Sequence, residues 1–318
     1  MKAVVVAFLD LLGFSELLRK NQDAAVTNLV YFNQALNAKF NDYEKMKNMN
    51  VEEQLKEFID NSSIKSFKDV ISVSDSLIIT SNDSDEFVKN ISHLLSQLYI
   101  ESNESYRIPY NLDTLTEEDK KYTDIKKSDL NDEYMKNVPL LFRGGASIGT
   151  DVAIPNAVCI RDFNKNTGIT ISGRTYLDAV KLEKSGKDPH LFCNKDFAQS
   201  LKDKSCIRLY NVSLGIYEIV WSYWGCEVGE KHSEPTQNIN SGLEKMLIPA
   251  LNLYVYYRSH NPDFLIYYKE LVEIVCRGIL KYDLDHCGNE NHSSQKIIKE
   301  FTKRKINISE ICNFLDLN

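Results

Sequence analysis

Apolar positions in this chain fall into short runs and helical repeats that alternate along its first two thirds. Ala3-Val-Val-Val-Ala-Phe-Leu9 is an unbroken apolar run, so residues 2–9 predict a buried strand that runs out at Asp10 into a strand-to-helix turn around Gly13. Leu17, Leu18, Val26, Leu29, Val30, Phe32 and Leu36 then recur at helical spacing, predicting one long amphipathic helix over 15–40. Residues 41–68 are polar, with room for a further helix. Residues 70–80 predict two short strands meeting at Ser74-Asp75-Ser76. A second amphipathic helix follows over 83–100, carried by Phe87, Ile91, Leu94, Leu95 and Leu98, with Asn82, Asp83 or Ser84 as its cap.

Residues 101–137 are dense in Asp, Glu and Lys and read as a surface insertion. Order returns with a strand over 138–149, whose Gly144-Gly145 pair lets another backbone or a ligand come close. Residues 150–168 form an excursion, 169–171 a short strand, 173–184 a helix, and 206–212 with 216–221 a closing hairpin. The succession strand, helix, strand, strand, helix, strand fits a ferredoxin-like α+β sheet with helices on one face. From about 238 the pattern becomes helical, over 243–257, 264–280 and 293–317. We therefore expect a domain over 1–224, interrupted by the 101–137 insertion, and a helical C-terminal extension over 225–318.

Composition narrows the choices. With 318 residues, 43% apolar and 26% charged, the chain has the make-up of a soluble globular protein. Its net charge of −7 argues against gripping a nucleic-acid backbone. The seven cysteines are scattered without a C-x-x-C pair, which favours a reducing, cytoplasmic setting over a disulfide framework. The N-terminal apolar run superficially resembles a signal peptide, but Asp10 ends it early and no small-residue cleavage site follows. No apolar stretch of about 18 residues predicts a membrane span.

Chemistry concentrates at two acids that interrupt apolar runs, Asp10 in Phe8-Leu-Asp-Leu-Leu-Gly-Phe14 and Asp75 in Val73-Ser-Asp-Ser-Leu77. Two carboxylates at neighbouring strand ends suit hard divalent cations, and the turn at Gly13 offers N–H groups to phosphate. Arg143, just before Gly144-Gly145, is a basic group that either meets an anion or pairs with a carboxylate. The segment Asp285-His-Cys-Gly-Asn-Glu-Asn-His292 holds metal-ligand residue types, yet its spacing matches no closed zinc site and a solvated loop is expected. Tyr254, Tyr256, Tyr257, Tyr267 and Tyr268 at helical spacing predict packing rather than base stacking.

Taken together, Phe8–Phe14, Val73–Ser76, Arg143-Gly-Gly-Ala-Ser-Ile-Gly149 and Gly173-Arg-Thr-Tyr-Leu-Asp-Ala-Val-Lys-Leu-Glu183 resemble the class III nucleotidyl cyclases in order and spacing. Within that superfamily the chain resembles most the bacterial pyrimidine cyclases of the Pycsar anti-phage system. The resemblance implies a ferredoxin-like cyclase sheet with helices packed on it, and a homodimer with composite active sites between subunits. It makes Asp10 and Asp75 the metal carboxylates, with the Leu11 carbonyl a further ligand, holding two Mg²⁺ or Mn²⁺ ions. It assigns the terminal phosphates of a nucleoside triphosphate to the backbone of Leu11, Leu12, Gly13 and Phe14, and a phosphate contact to Arg143. The implied reaction is cyclisation to a 3′,5′-cyclic nucleotide with release of pyrophosphate.

The departures from the family pattern bear on the base. Where purine cyclases carry a Lys and an acidic group, this chain has Ile71 and approximately Thr170. An aliphatic side chain cannot donate to a purine acceptor, which favours a pyrimidine, UTP before CTP. The transition-state Asn and Arg correspond to Leu177 and Lys181, so Lys181 is the remaining catalytic cation; Arg208 is the nearest basic group on the closing hairpin. Glu183 is expected to partner Arg174 or a backbone group. Two alternatives stand: a purine cyclase with unfamiliar base readout, and a cyclase-like binding module without turnover.

Overall fold

The computed structural model describes residues 3–48, 64–105, 139–151, 158–159, 167–168, 172–228, 234–260, 262–288 and 291–311. The 106–137 part of the expected insertion, the first residue of the strand expected at 138–149, the strand expected at 169–171, Thr170 and residues 312–318 lie outside them. Strand β1 spans Val4–Leu11, followed by α1 (Phe14–Lys20), α2 (Gln22–Asn48), β2 (Phe67–Val73), β3 (Ser76–Ser81) and α3 (Ser84–Ser105). Then come β4 (Phe142–Gly149), a small β5–β6 ribbon (Val158–Cys159 and Thr167–Gly168), α4 (Arg174–Glu183), β7 (Leu191–Asn194), α5 (Lys195–Ser200), β8 (Ile207–Asn211) and β9 (Ile216–Ile219). The C-terminal helices are α6 (Ser222–Gly225), α7 (Pro235–Gly242), α8 (Ile248–His260, entered through a π turn over Leu243–Leu247), α9 (Pro262–Cys287), α10 (Asn291–Lys303) and α11 (Ile308–Ile311).

The main sheet has seven strands in the order β2-β3-β1-β4-β7-β9-β8. Its first four, β2-β3-β1-β4, are antiparallel neighbours in the ferredoxin-like arrangement, built by a strand-helix-strand-strand-helix-strand succession. The sheet then continues through β7, which runs parallel to β4. The sequence pattern does not reveal β7, because four residues, three of them buried, show no alternation.

The central strand is buried on both faces, and the pleat sorts its residues. Val5, Ala7, Leu9 and Leu11 enter the large core shared with α2, α3 and the C-terminal helices. Val6 and Phe8 point the other way, into a small cluster with Ile71, Ile78, Ala179 and Tyr176 beneath α4. Helices therefore cover both faces, where the sequence pattern suggested one. The helices after β9 share the large core: Tyr99 OH donates to the Met246 carbonyl at 3.2 Å, and Ser222 Oγ to the Ile274 carbonyl at 2.6 Å. The tyrosines of α8 and α9 pack as expected, with Tyr257 and Tyr268 stacked at 4.4 Å.

Local differences have local causes. The single helix expected over 15–40 breaks at Asn21, which is extended (φ −154°, ψ 94°). No apolar residue lies between Leu18 and Ala24 to hold a continuous helix on the sheet. Asp83 is the cap of α3, its Oδ1 accepting from the Asp85 and Glu86 N–H groups at 3.1 Å. In the 285–292 segment, residues 285–287 belong to α9, where His286 stacks on Tyr282, and Asn291 already opens α10.

Gly145 meets the close approach its sequence predicts. A Cβ there would lie 2.1 Å from the Ala179 carbonyl oxygen and 2.7 Å from the Glu183 N, so α4 packs backbone to backbone on β4. Gly145→Val is therefore expected to lift α4 from the sheet and cost at least about 1–3 kcal/mol, read from denaturant melts.

Candidate functional site

Asp10 has the same parity as Val6 and Phe8, so the pleat that buries Leu9 and Leu11 in the large core sends Asp10 to the α4 side. In the β1 register it stands opposite Ser76 on β3 and opposite Arg143 on β4. Both neighbours reach it: Ser76 Oγ donates to Oδ1 at 3.3 Å and Arg143 Nη2 to Oδ2 at 2.9 Å. Asp75 is brought alongside by the two-residue hairpin Ser74-Asp75. Ser74 adopts a left-handed φ of 57°, as tight hairpin loops require at their first position. The Leu11 N–H donates to the Asp75 carbonyl at 3.0 Å, fixing the hairpin tip to the end of β1.

Arg143 is shared. Its Nε lies 2.5 Å from Oε1 of Glu183, the last residue of α4, whose side chain is 4% exposed. Asp10 and Glu183 thus hold one guanidinium between them. Burial raises the Asp10 carboxyl above its usual range; Arg143 opposes the rise and the Asp75 charge adds to it. Glu183 is raised by burial in the same way, against the pull of Arg143. The expected pairing of Glu183 with Arg174 gives way to this one, and Arg174 faces Asp178 at 3.6 Å.

Helix α4 is held in place by a carboxylate borrowed from the strand end. Asp151 accepts from the Arg174 N–H at 2.9 Å, from the Thr175 N–H at 3.3 Å and from Thr175 Oγ1 at 2.6 Å. This cap keeps Asp151 below the usual carboxylate range, chiefly through the Thr175 hydroxyl. Sequence reasoning missed it because the cap lies outside the helix's own flanks. It also missed Ser76 as a partner of Asp10, although the Ser-Asp-Ser turn and strand parity together carry that signal.

The other expected site residues are distributed unevenly. Of the four turn residues assigned to phosphate, Leu11 and Leu12 already donate their N–H groups, to Asp75 and to Leu141 (2.8 Å), because β1 runs on to Leu11. That leaves the turn proper at Gly13 and Phe14. Gly13 has φ 75°, and a Cβ on it would lie 3.0 Å from the Phe264 ring of α9. Ile71 is 8% exposed and packed with Val6, Ile78 and Ala179. Lys181 is 77% exposed, with its ammonium 3.8 Å from Asp178, and Leu177 is also exposed; within one chain neither is brought to Asp10. Arg208 binds Glu218 on the neighbouring strand and lies over Tyr210.

The oxygen-only donors at the Asp10–Asp75 corner fit a hard divalent cation. Asp10 supports that fit, since a half-buried carboxylate beside a second one calls for positive charge, which Arg143 supplies in this structure. The arrangement can hold a cation and an anionic group together, with Glu183 aligning the guanidinium.

No protein-family model matches this chain, and no curated protein matches it. Solved structures similar to it include the catalytic core of a rhodopsin-guanylyl cyclase with converted specificity in complex with ATPαS (14% identity, 69% of this chain and 95% of that one, TM-score 0.40). The adenylyl cyclase CyaB from P. aeruginosa is similar over 73% of this chain and 97% of its own, at 16% identity and TM-score 0.38. An adenylate cyclase from Trypanosoma brucei is similar over 70% and 90%, at 16% identity and TM-score 0.39.

A folded state that raises carboxyl pKa values binds protons more tightly than the unfolded chain, so the Asp10–Glu183 contribution to stability falls as pH rises through the carboxylate range. Asp10→Asn should flatten that part of the pH–stability curve in chelator. It should also remove the Mg²⁺-dependent rise in Tm expected of the wild type. Thermal melts across pH, with and without Mg²⁺, check both.

Proposed function

We propose that the chain is a nucleotidyl cyclase that converts a pyrimidine nucleoside triphosphate, UTP in preference to CTP, to its 3′,5′-cyclic nucleotide and pyrophosphate. One observation carries the reading: the β1 register sets Asp10 beside the Asp75 hairpin and directly across from Arg143, on the α4 side of a ferredoxin-like sheet. In the reaction the ribose 3′-oxygen forms a bond to the α-phosphorus as the bond to the β-phosphate bridging oxygen breaks. The chain's part is positioning and charge. Asp10, Asp75 and the Leu11 carbonyl are the residues that would hold two Mg²⁺ or Mn²⁺ ions. When bound, such ions favour the ionised hydroxyl and neutralise charge on the departing pyrophosphate.

Arg143 has the planar fork to bridge phosphate oxygens once a cation replaces it at Asp10, with Glu183 keeping Nε oriented. The buried, apolar Ile71 supplies no donor to a purine ring, which supports the pyrimidine assignment. The exposure of Lys181 suits a role across a subunit boundary, as a homodimer with composite sites would require. Resemblance to the Pycsar cyclases supports a cytoplasmic second-messenger synthase in anti-phage defence.

A second reading, a binding module without turnover, draws on the double ion pair of Arg143 and on the exposed, apolar Leu177 at the family's Asn position. Incubation with each of the four nucleoside triphosphates and Mn²⁺, followed by chromatography and a pyrophosphate assay, separates the readings. Cyclic UMP with stoichiometric pyrophosphate is expected. Cyclic AMP or GMP alone would reject the pyrimidine assignment, and nucleotide binding without pyrophosphate would favour the module. Asp75→Asn should lower kcat at least about 10²-fold with the far-UV CD spectrum unchanged.

A further inference from the structure

A second group of ligand-type side chains lies at the same end of the sheet, near the start of β7. Asp188 and His190 come from the segment that enters β7, and Glu270 comes from the middle of α9. One donor atom from each lies within 4.8 Å of the other two. The imidazole is not a surface group: His190 is 4% exposed, and its ring packs against Phe192 and Tyr210. Its Nδ1 is held 2.5 Å from Oε1 of the fully buried Glu218, which Arg208 secures from the other side. That contact aims Nε2 at Glu270, whose Oε2 is 3.7 Å away, longer than a hydrogen bond. Asp188 adds a buried Oδ1 that has no hydrogen-bond partner among the described residues.

We propose that Asp188, His190 and Glu270 form a binding site for a transition-metal dication of the Zn²⁺ type, separate from the Asp10–Asp75 corner. The donor set of one imidazole nitrogen and two carboxylates is one that zinc accepts, with a fourth position open to water. Zinc–ligand bonds of about 2.0–2.2 Å place donors about 3.5 Å apart, so the three side chains need close by only about 1 Å to reach an ion. The carboxylate of Glu218 behind the imidazole is the partner that metal-bound histidines characteristically have on their other nitrogen. The orphaned Asp188 oxygen gains a ligand, and two carboxylates facing the same space gain a shared cation. Without metal, a proton on His190 does part of this work. Burial opposes that proton, but the hydrogen bond with Glu218 and the nearby Glu270 carboxylate outweigh burial and lift the imidazole pKa to about 9. Because Glu270 belongs to α9 while the other two ligands precede β7, the ion would fasten the C-terminal helix to the sheet.

The test uses the full-length chain carrying Asp10→Asn and Asp75→Asn, so that metal binding is read independently of cyclase activity. After dialysis against chelator, calorimetric titration with Zn²⁺ should show one ion per chain, and Co²⁺ should give visible ligand-field absorption. Adding Glu270→Gln or Asp188→Asn, which keep side-chain shape, should weaken Zn²⁺ at least about tenfold and diminish the Co²⁺ bands. His190→Gln should do so more strongly, with CD confirming the fold of each variant. Absence of Zn²⁺ binding in the parent overturns the proposal. So does an affinity unchanged by either amide exchange, which would leave the cluster an imidazolium ion network and assign any bound zinc to another group such as Cys287.

Discussion

The whole arrangement depends on the pleat of β1, a strand buried on both faces whose penultimate residue is a carboxylate. The positions around it obey a simple parity, Val5, Ala7, Leu9 and Leu11 to the large core and Val6 and Phe8 beneath α4. Asp10 continues the second series at the point where the sheet ends, so its charge is forced onto a largely apolar face. A slip of one residue would reverse every side chain and bury that charge in the main core. The surrounding polar groups answer this placement: Ser76 and Arg143 occupy the two positions directly opposite, and Glu183 closes over the arginine from α4.

Sharing one guanidinium between a half-buried carboxylate and a buried one leaves a charge deficit. Both acids are pushed above their usual range despite Arg143, which shows that the arginine alone does not satisfy the corner. Polar clusters of this kind are poor contributors to stability and reasonable places for chemistry. The tight seating of α4 on Gly145, and its cap from Asp151, keep Glu183 where it can hold the arginine.

Much of this order is legible along the chain. An unbroken apolar run marks β1, and apolar patterning marks the β2–β3 hairpin, α3, β4, α4 and the C-terminal helices. The paired strand-end acids and the glycine pair before the close helix contact are visible as interruptions of apolar runs. What stays hidden depends on contacts distant in sequence. Leu191–Asn194 is too short to display alternation, and its place beside β4 comes from pairing alone. The break at Asn21 is a matter of missing apolar anchors, and the choice of Arg143 over Arg174 as partner of Glu183 depends on which strand lies under the end of α4. Likewise the facing of His190 by Glu270 joins residues eighty positions apart, and no local spacing announces it.

Helix α9 touches the earlier part of the chain at three successive places. Near its first turn the Phe264 ring fills the space beside Gly13, and Asp263 bonds Lys20 at 2.9 Å; further along, Glu270 faces His190, and the Ile274 carbonyl accepts from Ser222. Phe264 and Glu270 are separated by ~9 Å of helical rise, a fixed length. The helix therefore acts as a ruler laid across the end of the sheet. The turn after β1 and the segment entering β7 are held at one spacing by a single rigid element, and a sideways shift at either would be felt at the other.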